Sequence, residues 1–183
     1  MRPTLQQHHD FLKSSGFDKF LTSISKILAS NNPPTIRHAQ LRSWTPTDRS
    51  LSFGTHVTGT AIYYNTTDAW DEGAWPLWTH IVRHVDGCLG CTGGPLLEPV
   101  ETVPGPLDKL LEASSTERQK CARAYLVYVG WESTEKHHAY HHTQHFKEHS
   151  VVLRCGNEGY AEYGHIVFEG SREIESPPAK AQL

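Results

Sequence analysis

Cysteine is scarce in this chain. Cys88, Cys91, Cys121 and Cys155 are the only four in 183 residues, too few and too irregularly spaced for the disulfide framework of a small secreted domain, so reduced thiols are expected. Long apolar runs are also missing: nothing approaches the ~20 residues of a membrane span. The first residues, MRPTLQQHHD, lack the apolar core of a secretory signal, so the expectation is a cytoplasmic protein with no membrane partner. Basic clusters are absent and the net charge is −3, which argues against a nucleic-acid partner. No GxGxxG follows a strand-like segment, so no flavin or nicotinamide cofactor is expected. Cys88 and Cys91 have CxxC spacing without a second pair. A regular strand would send their side chains to opposite faces, which argues against zinc or redox work there.

What the chain has is one dense stretch, AYLVYVGWESTEKHHAYHHTQHFKEH, from Ala124 to His149. It begins as an apolar run rich in β-branched and aromatic residues, a buried strand by composition. It breaks at Gly130, delivers Trp131 to a turn, and continues as a helix capped by Ser133 or Thr134, with Glu132 and Glu135 near its positive end. His138, His142, His145 and His149 are spaced four, three and four apart, a helical stripe. Such pairs can hold zinc or nickel. No acidic or cysteine ligand is spaced to complete a tetrahedral site, and a solvated histidine-rich face is the simpler reading, with no metal expected. The position of Phe146 predicts a helix break near Thr143.

Elsewhere the pattern predicts a helix from Phe11 to Leu28 with one apolar face past Gly16, and a modest strand from Ile36 to Trp44. A polar loop follows to Ser52. Strands are expected from His56 to Tyr64, through GCLGCTGGPLLEPV, from Ala122 to Val129 and from Tyr160 to Phe168. Trp75, Trp78, Ile81, Val82 and Val85 predict a helix started near Pro76 and ended by Asp86-Gly87. Residues 101–121 read as an inserted loop with one short helix, and SREIESPPAKAQL as a frayed tail. The order from His56 is strand, helix, strand, strand, helix, strand. This predicts an α+β fold, a ferredoxin-like βαββαβ unit with both helices on one sheet face. The expected domains are an N-terminal helix-strand extension at 1–50, the ferredoxin-like domain at 51–170, and the tail at 171–183. The extension reads either as a truncated internal repeat of the last helix and strand, sharing a strand histidine (His38, His165), or as an unrelated addition. Both faces of the central strand are apolar, so the face without helices needs a cover, and a second sheet is the obvious one.

The spacing of Trp131, His137, Tyr140, Thr143 and Phe146 within VGWESTEKHHAYHHTQHF resembles the strand-to-helix signature of dimeric α+β barrel proteins, including the antibiotic-biosynthesis-monooxygenase-like family. HVDGCLGCTGGPLLEPV resembles that family's helix end and second strand. Together these cover about Thr55 to Gly170. The resemblance implies a homodimer whose sheets enclose an apolar pocket, and a small cofactor-independent enzyme of secondary metabolism, a monooxygenase acting on an aromatic or polyketide-like substrate. Polyketide cyclases of the same superfamily are an alternative: Tyr140 matches their catalytic tyrosine, but their second helical histidine falls at Phe146. The stretch also resembles haem-degrading members, except that His149 lies one position short of their ligand and Ser150 occupies that place. A non-catalytic barrel binding a hydrophobic ligand or protein, or a haem or metal binder, is the remaining reading.

Within the leading expectation His137 is the base, and Tyr140 or Trp131 stands at the developing oxyanion. Tyr63, Trp78, Tyr125 and Tyr128 are the expected substrate-binding aromatics, suited to a flat apolar molecule.

Overall fold

The computed structural model describes residues 5–25, 27, 36–51, 56–102, 119–121 and 123–170. The chain divides into two compact units, 1–36 and 37–183. Residues 37–50 therefore belong with the sheet rather than with the extension.

In the first unit the single helix expected from Phe11 to Leu28 is two short ones, α1 (Leu5–Leu12) and α2 (Ser15–Ile24). Ser14 adopts an extended conformation between them, and its hydroxyl donates to Phe11 O at 2.7 Å. Phe11 and Phe17 meet edge to face at 5.7 Å, which closes the corner. The repeat reading spans residues outside those described.

The second unit holds an antiparallel sheet of five strands. These are β1 (Arg42–Ser43), β2 (Val57–Tyr64), β3 (Cys88–Pro95), β6 (Ala124–Trp131) and β7 (Tyr160–Val167), in the spatial order β1-β3-β6-β2-β7. A separate two-stranded ribbon pairs β4 (Val100–Thr102) with β5 (Gln119–Cys121). The short helix expected in that insertion lies outside the described residues, as does the tail at 171–183. Between β2 and β3 one wide π-helical turn (Trp70–Ala74) runs into α3 (Trp75–Val82). Between β6 and β7 come α4 (Thr134–His141), α5 (Gln144–His149) and a 3-10 turn (Ser150–Arg154). The four long strands and their two helical crossovers follow the predicted split βαβ order. Among the described residues no helix is long and apolar enough to cross a membrane.

Local rules account for most of these boundaries. Pro76 sits in the first turn of α3, where no intrahelical donor is lost. Ser133 caps α4 by accepting from Lys136 N at 3.2 Å, and Thr143 caps α5 by accepting from Phe146 N at 3.1 Å. The predicted break at Thr143 is therefore a second helix start. β6 runs two residues further than expected, so Trp131 is a strand residue paired with Val57 rather than part of a turn.

The expected strand from Ile36 to Trp44 contributes only β1 and one bridge, Ala39 to Leu96, at the ragged outer edge beside β3. The chain then folds back over the helix-free face. Asp48 accepts from Ser50 N at 2.9 Å and from the Thr92 hydroxyl, Ser50 Oγ donates to Thr92 Oγ1 at 2.8 Å, and the Thr58 hydroxyl donates to Ser50 O. A Cβ on Gly130 would stand 2.7 Å from Ser50 Cα, so this approach requires glycine. Part of the face expected to await a second sheet is thus covered by the chain's own residues 45–51, which read as a plain loop.

One more expectation is corrected by β3. Its pairing with β6 shifts register between Cys88 and Gly90, and Gly90 has φ +131°. Leu89 is the extra residue of a β-bulge, and its carbonyl accepts from Arg49 N at 3.0 Å. Cys88 pairs with Trp131 and Cys91 with Val129, two residues of the same face. The two thiols therefore share a face instead of being parted.

Candidate functional site

Register decides what each face carries. Val57, Ala61 and Tyr63 of β2 lie opposite Trp131, Val127 and Tyr125 of β6, and these pack with Trp70, Trp75, Trp78 and Val82 in one core. Between this face and the helices lies a cavity of about 220 Å³, open on one side. Its walls include Tyr63, Trp75, Trp78, Trp131, His137 and Tyr140. The rings are large and stiff, and they meet at angles that leave space: Tyr63 and Trp70 are 4.3 Å apart, Trp131 and Tyr140 5.6 Å, Trp78 and Phe146 6.0 Å.

His137 is the buried polar feature of the wall, with half-buried His141 beside it. It stands one turn into α4, buried, with its imidazole stacked on Trp131 at 4.7 Å and 17°. Its Nδ1 lies 2.7 Å from His165 Nε2 on β7, so one of these nitrogens donates and the other accepts. Two nitrogens sharing a tetrahedral zinc would stand about 3.3 Å apart, so this is a hydrogen bond rather than half of a metal site. The pair fits only because residue 59 is glycine. A Cβ there would come 2.9 Å from His137 Cε1. His141 lies 4.5 Å from His137, ring to ring, and His138 5.4 Å from His165. Burial, followed by the neighbouring imidazoles of His141, His165 and His138, pushes His137 down to about 3. His141 and His165 are lowered as well, first by burial. His137, His141 and His165 are therefore neutral near pH 7.

Tyr140 lies one turn on, and burial pushes its hydroxyl up to about 12, so it stays protonated. That hydroxyl is 3.1 Å from His145 Nδ1, a residue that does not line the cavity. Tyr140 thus contributes its ring to the wall while its polar end turns to His145. The histidine stripe read as a solvated face is divided accordingly: His145 meets Tyr140, His138 meets His165, and His145 and His149 stack on each other at 4.3 Å.

Among the expected substrate-binding residues, Tyr63 and Trp78 line the cavity. Tyr125 lies on the same face but is sealed against Trp70 and Trp75, and burial pushes its hydroxyl up to about 12. Tyr128 pairs with Thr60 and Thr92 on the opposite face, so it does not join this site. Sequence reasoning assigned no site role to two residues. His165 was visible only as a strand histidine, and nothing local identifies its partner 28 positions away. Trp75 lines the cavity with its indole Nε1 buried and without a hydrogen-bond partner.

Fold and site together define a protein class: a ferredoxin-like antiparallel sheet with an aromatic cavity under its helices and, in the wall, a neutral histidine backed by a second one. No protein-family model matches the chain, and no curated protein matches it. Among the solved structures similar to it are two monooxygenase-named proteins. One is a "putative Antibiotic biosynthesis monooxygenase" from Chloroflexus aurantiacus J-10-fl, at 16% identity and TM-score 0.36, covering 64% of this chain and 98% of that one. The other is a "putative monooxygenase" from Lactobacillus acidophilus NCFM, at 13% identity and TM-score 0.43, covering 91% and 71% respectively.

Proposed function

We propose that this chain is a small cofactor-independent monooxygenase, which holds a flat aromatic molecule in the cavity and begins by removing a proton at His137. The observation that carries this reading is buried His137 in the wall of a largely aromatic cavity, with its Nδ1 2.7 Å from His165 Nε2 behind the wall. The motif resemblance around Trp131, His137 and Tyr140 supports it independently.

With Nδ1–H donated to His165, the Nε2 lone pair of His137 is the base. A ring held near 3 is by itself a weak base, and an anion beside it reverses that. When the substrate gives up its proton, the carbanion faces the new imidazolium in an apolar enclosure, where opposite charges stabilise each other strongly. His165 shares that charge through the hydrogen bond. Trp131 fixes the ring plane by stacking. Tyr63 and Trp78 flank the aromatic plane. The carbanion then passes an electron to dioxygen, the two radicals join as a peroxide anion that takes the proton back from His137, and loss of water from the hydroperoxide leaves a new carbonyl. A ring methylene becomes a C=O, one oxygen atom stays in the product and the other leaves as water. Ring closure would share the proton abstraction but consume no oxygen.

An anthrone, a flat molecule with one acidic ring methylene, is a suitable probe. Oxygen uptake and quinone formation are expected with the full chain, reduced about a hundredfold by His137→Ala and about tenfold by His165→Ala. Wild-type rates in both variants would remove the pair from the mechanism. Turnover of a cyclisable polyketone without oxygen uptake would instead select ring closure.

A further inference from the structure

The bulge in β3 sets two thiols side by side, and the cavity reaction uses neither. Cys91 is fully buried in the aromatic core, while Cys88 is half-buried at its margin. Cys88 also lines a surface groove of about 270 Å³ at the sheet edge, together with Arg49, Arg83 and His84. Register brings the two side chains to one face at neighbouring positions, and the Cys91 thiol and Gly90 N–H are the donors that lower Cys88. Both donors favour the Cys88 thiolate. They hold Cys88 below the ordinary thiol range although burial and the Asp48 carboxylate oppose them. Cys91 is raised well above that range, first by its bond to Cys88 and then by burial. One sulfur is thus reachable and nucleophilic, and the other is protonated behind it, the asymmetry a dithiol exchange site requires.

We propose that Cys88 and Cys91 form a redox-active dithiol that exchanges with a small disulfide bearing carboxylates, whose acid groups are received by Arg49 and Arg83 in the groove. The Cys88 thiolate attacks one sulfur of that disulfide, a mixed disulfide forms, and one small thiolate departs. Cys91 then gives up its proton and attacks the Cys88 sulfur. The second small thiol leaves, and Cys88–Sγ and Cys91–Sγ are joined. The two electrons lost by the protein are gained by the small disulfide, and the two thiol protons end on the two released thiols.

The test uses the folded full chain and glutathione disulfide, followed by peptide mapping under non-reducing conditions. The wild type is expected to yield a peptide with Cys88 joined to Cys91. Cys91→Ser should trap glutathione on Cys88, and Cys88→Ser should leave Cys91 unreacted until the protein is unfolded. Near-ultraviolet circular dichroism confirms that each variant is folded. A folded Cys91→Ser protein that takes up glutathione at exposed Cys155 but not at Cys88 would overturn the proposal. The groove is tested separately with Arg49→Gln/Arg83→Gln. Exchange with glutathione disulfide should slow roughly fivefold while exchange with cationic cystamine does not slow. Equal slowing of both reagents would rule out carboxylate recognition there.

Discussion

On the helix side of the sheet, Tyr63, Tyr125 and Trp131 meet Trp70, Trp75 and Trp78 across a cavity. On the other side, Thr58, Thr92 and Gly130 lie directly under residues 45–51, backbone against backbone. Large rigid rings exclude water over a wide area but cannot interlock completely, so their assembly leaves a hole. Small side chains allow close approach and leave none, and their polar groups are satisfied by a network through Asp48, Ser50, Thr58 and Thr92. Where the chain needs a pocket it uses bulk, and where it needs a seal it uses glycine and hydroxyls.

The contrast is broken most sharply by adding the same kind of atom to each face. Gly130→Val drives a side chain into Ser50 and Arg49 and should lower unfolding free energy by about 3 kcal/mol. Ala61→Val adds two methyl groups at the cavity wall and should change it by less than about 1 kcal/mol. Urea unfolding measures both, and equal losses would remove the distinction.

Acid should reach the two faces in different windows. His137 has a folded value below its unfolded one, so the unfolded chain binds more protons between the two. The neutral ring's contribution is whole above about pH 6.5 and is lost as pH falls toward about 3. That loss should amount to about 3 kcal/mol by pH 4.5, and His137→Asn should flatten it. Asp48 is also depressed. Burial alone would raise it, but hydrogen bonds from Ser50 and Thr92 outweigh burial, so its contribution is lost only at lower pH, as the carboxylate protonates. Unfolding followed against pH in Asp48→Asn should therefore keep the upper transition and lose the lower one.

Gly59→Ala makes a smaller change, about 1 kcal/mol, because an imidazole can swing aside where a backbone cannot. The signature is the loss of the His137–His165 bond in imidazole nitrogen NMR shifts. Tyr140→Phe should be the mildest, within about 1 kcal/mol, since it removes one hydroxyl contact to exposed His145 and keeps the wall ring in place. A loss of anthrone turnover beyond tenfold in this variant would return the hydroxyl to the chemistry.

The elements that could be read from the chain are those whose causes are local. The β-branched and aromatic residues from Val57 to Tyr64 are a strand wherever they occur, and Trp75, Trp78 and Val82 share a helical face by spacing alone. Ser133 and Thr143 cap helices through bonds three residues long. His137 and Trp131 were legible because one short stretch carries both. His165 was not, because its meaning lies in pairing β7 beside β2, which brings Gly59 opposite it and leaves room for the ring. The role of residues 45–51 was equally hidden, since Asp48 and Ser50 read as loop residues until Thr58 and Thr92 stand beneath them. Tyr128 was misplaced by treating the aromatics as one population, when alternation assigns them to two faces.

A sheet counts in twos, and the bulge at Leu89 makes β3 count once in threes. Every side chain upstream of that residue points as though the strand had been turned over, although no bond has been twisted. Were Leu89 to take a regular place in the ladder, the even count would return and Cys88 would pass to the far side with the sequence unchanged. The meeting of the two thiols is thus encoded by a residue with no sulfur, whose whole contribution is to be one too many.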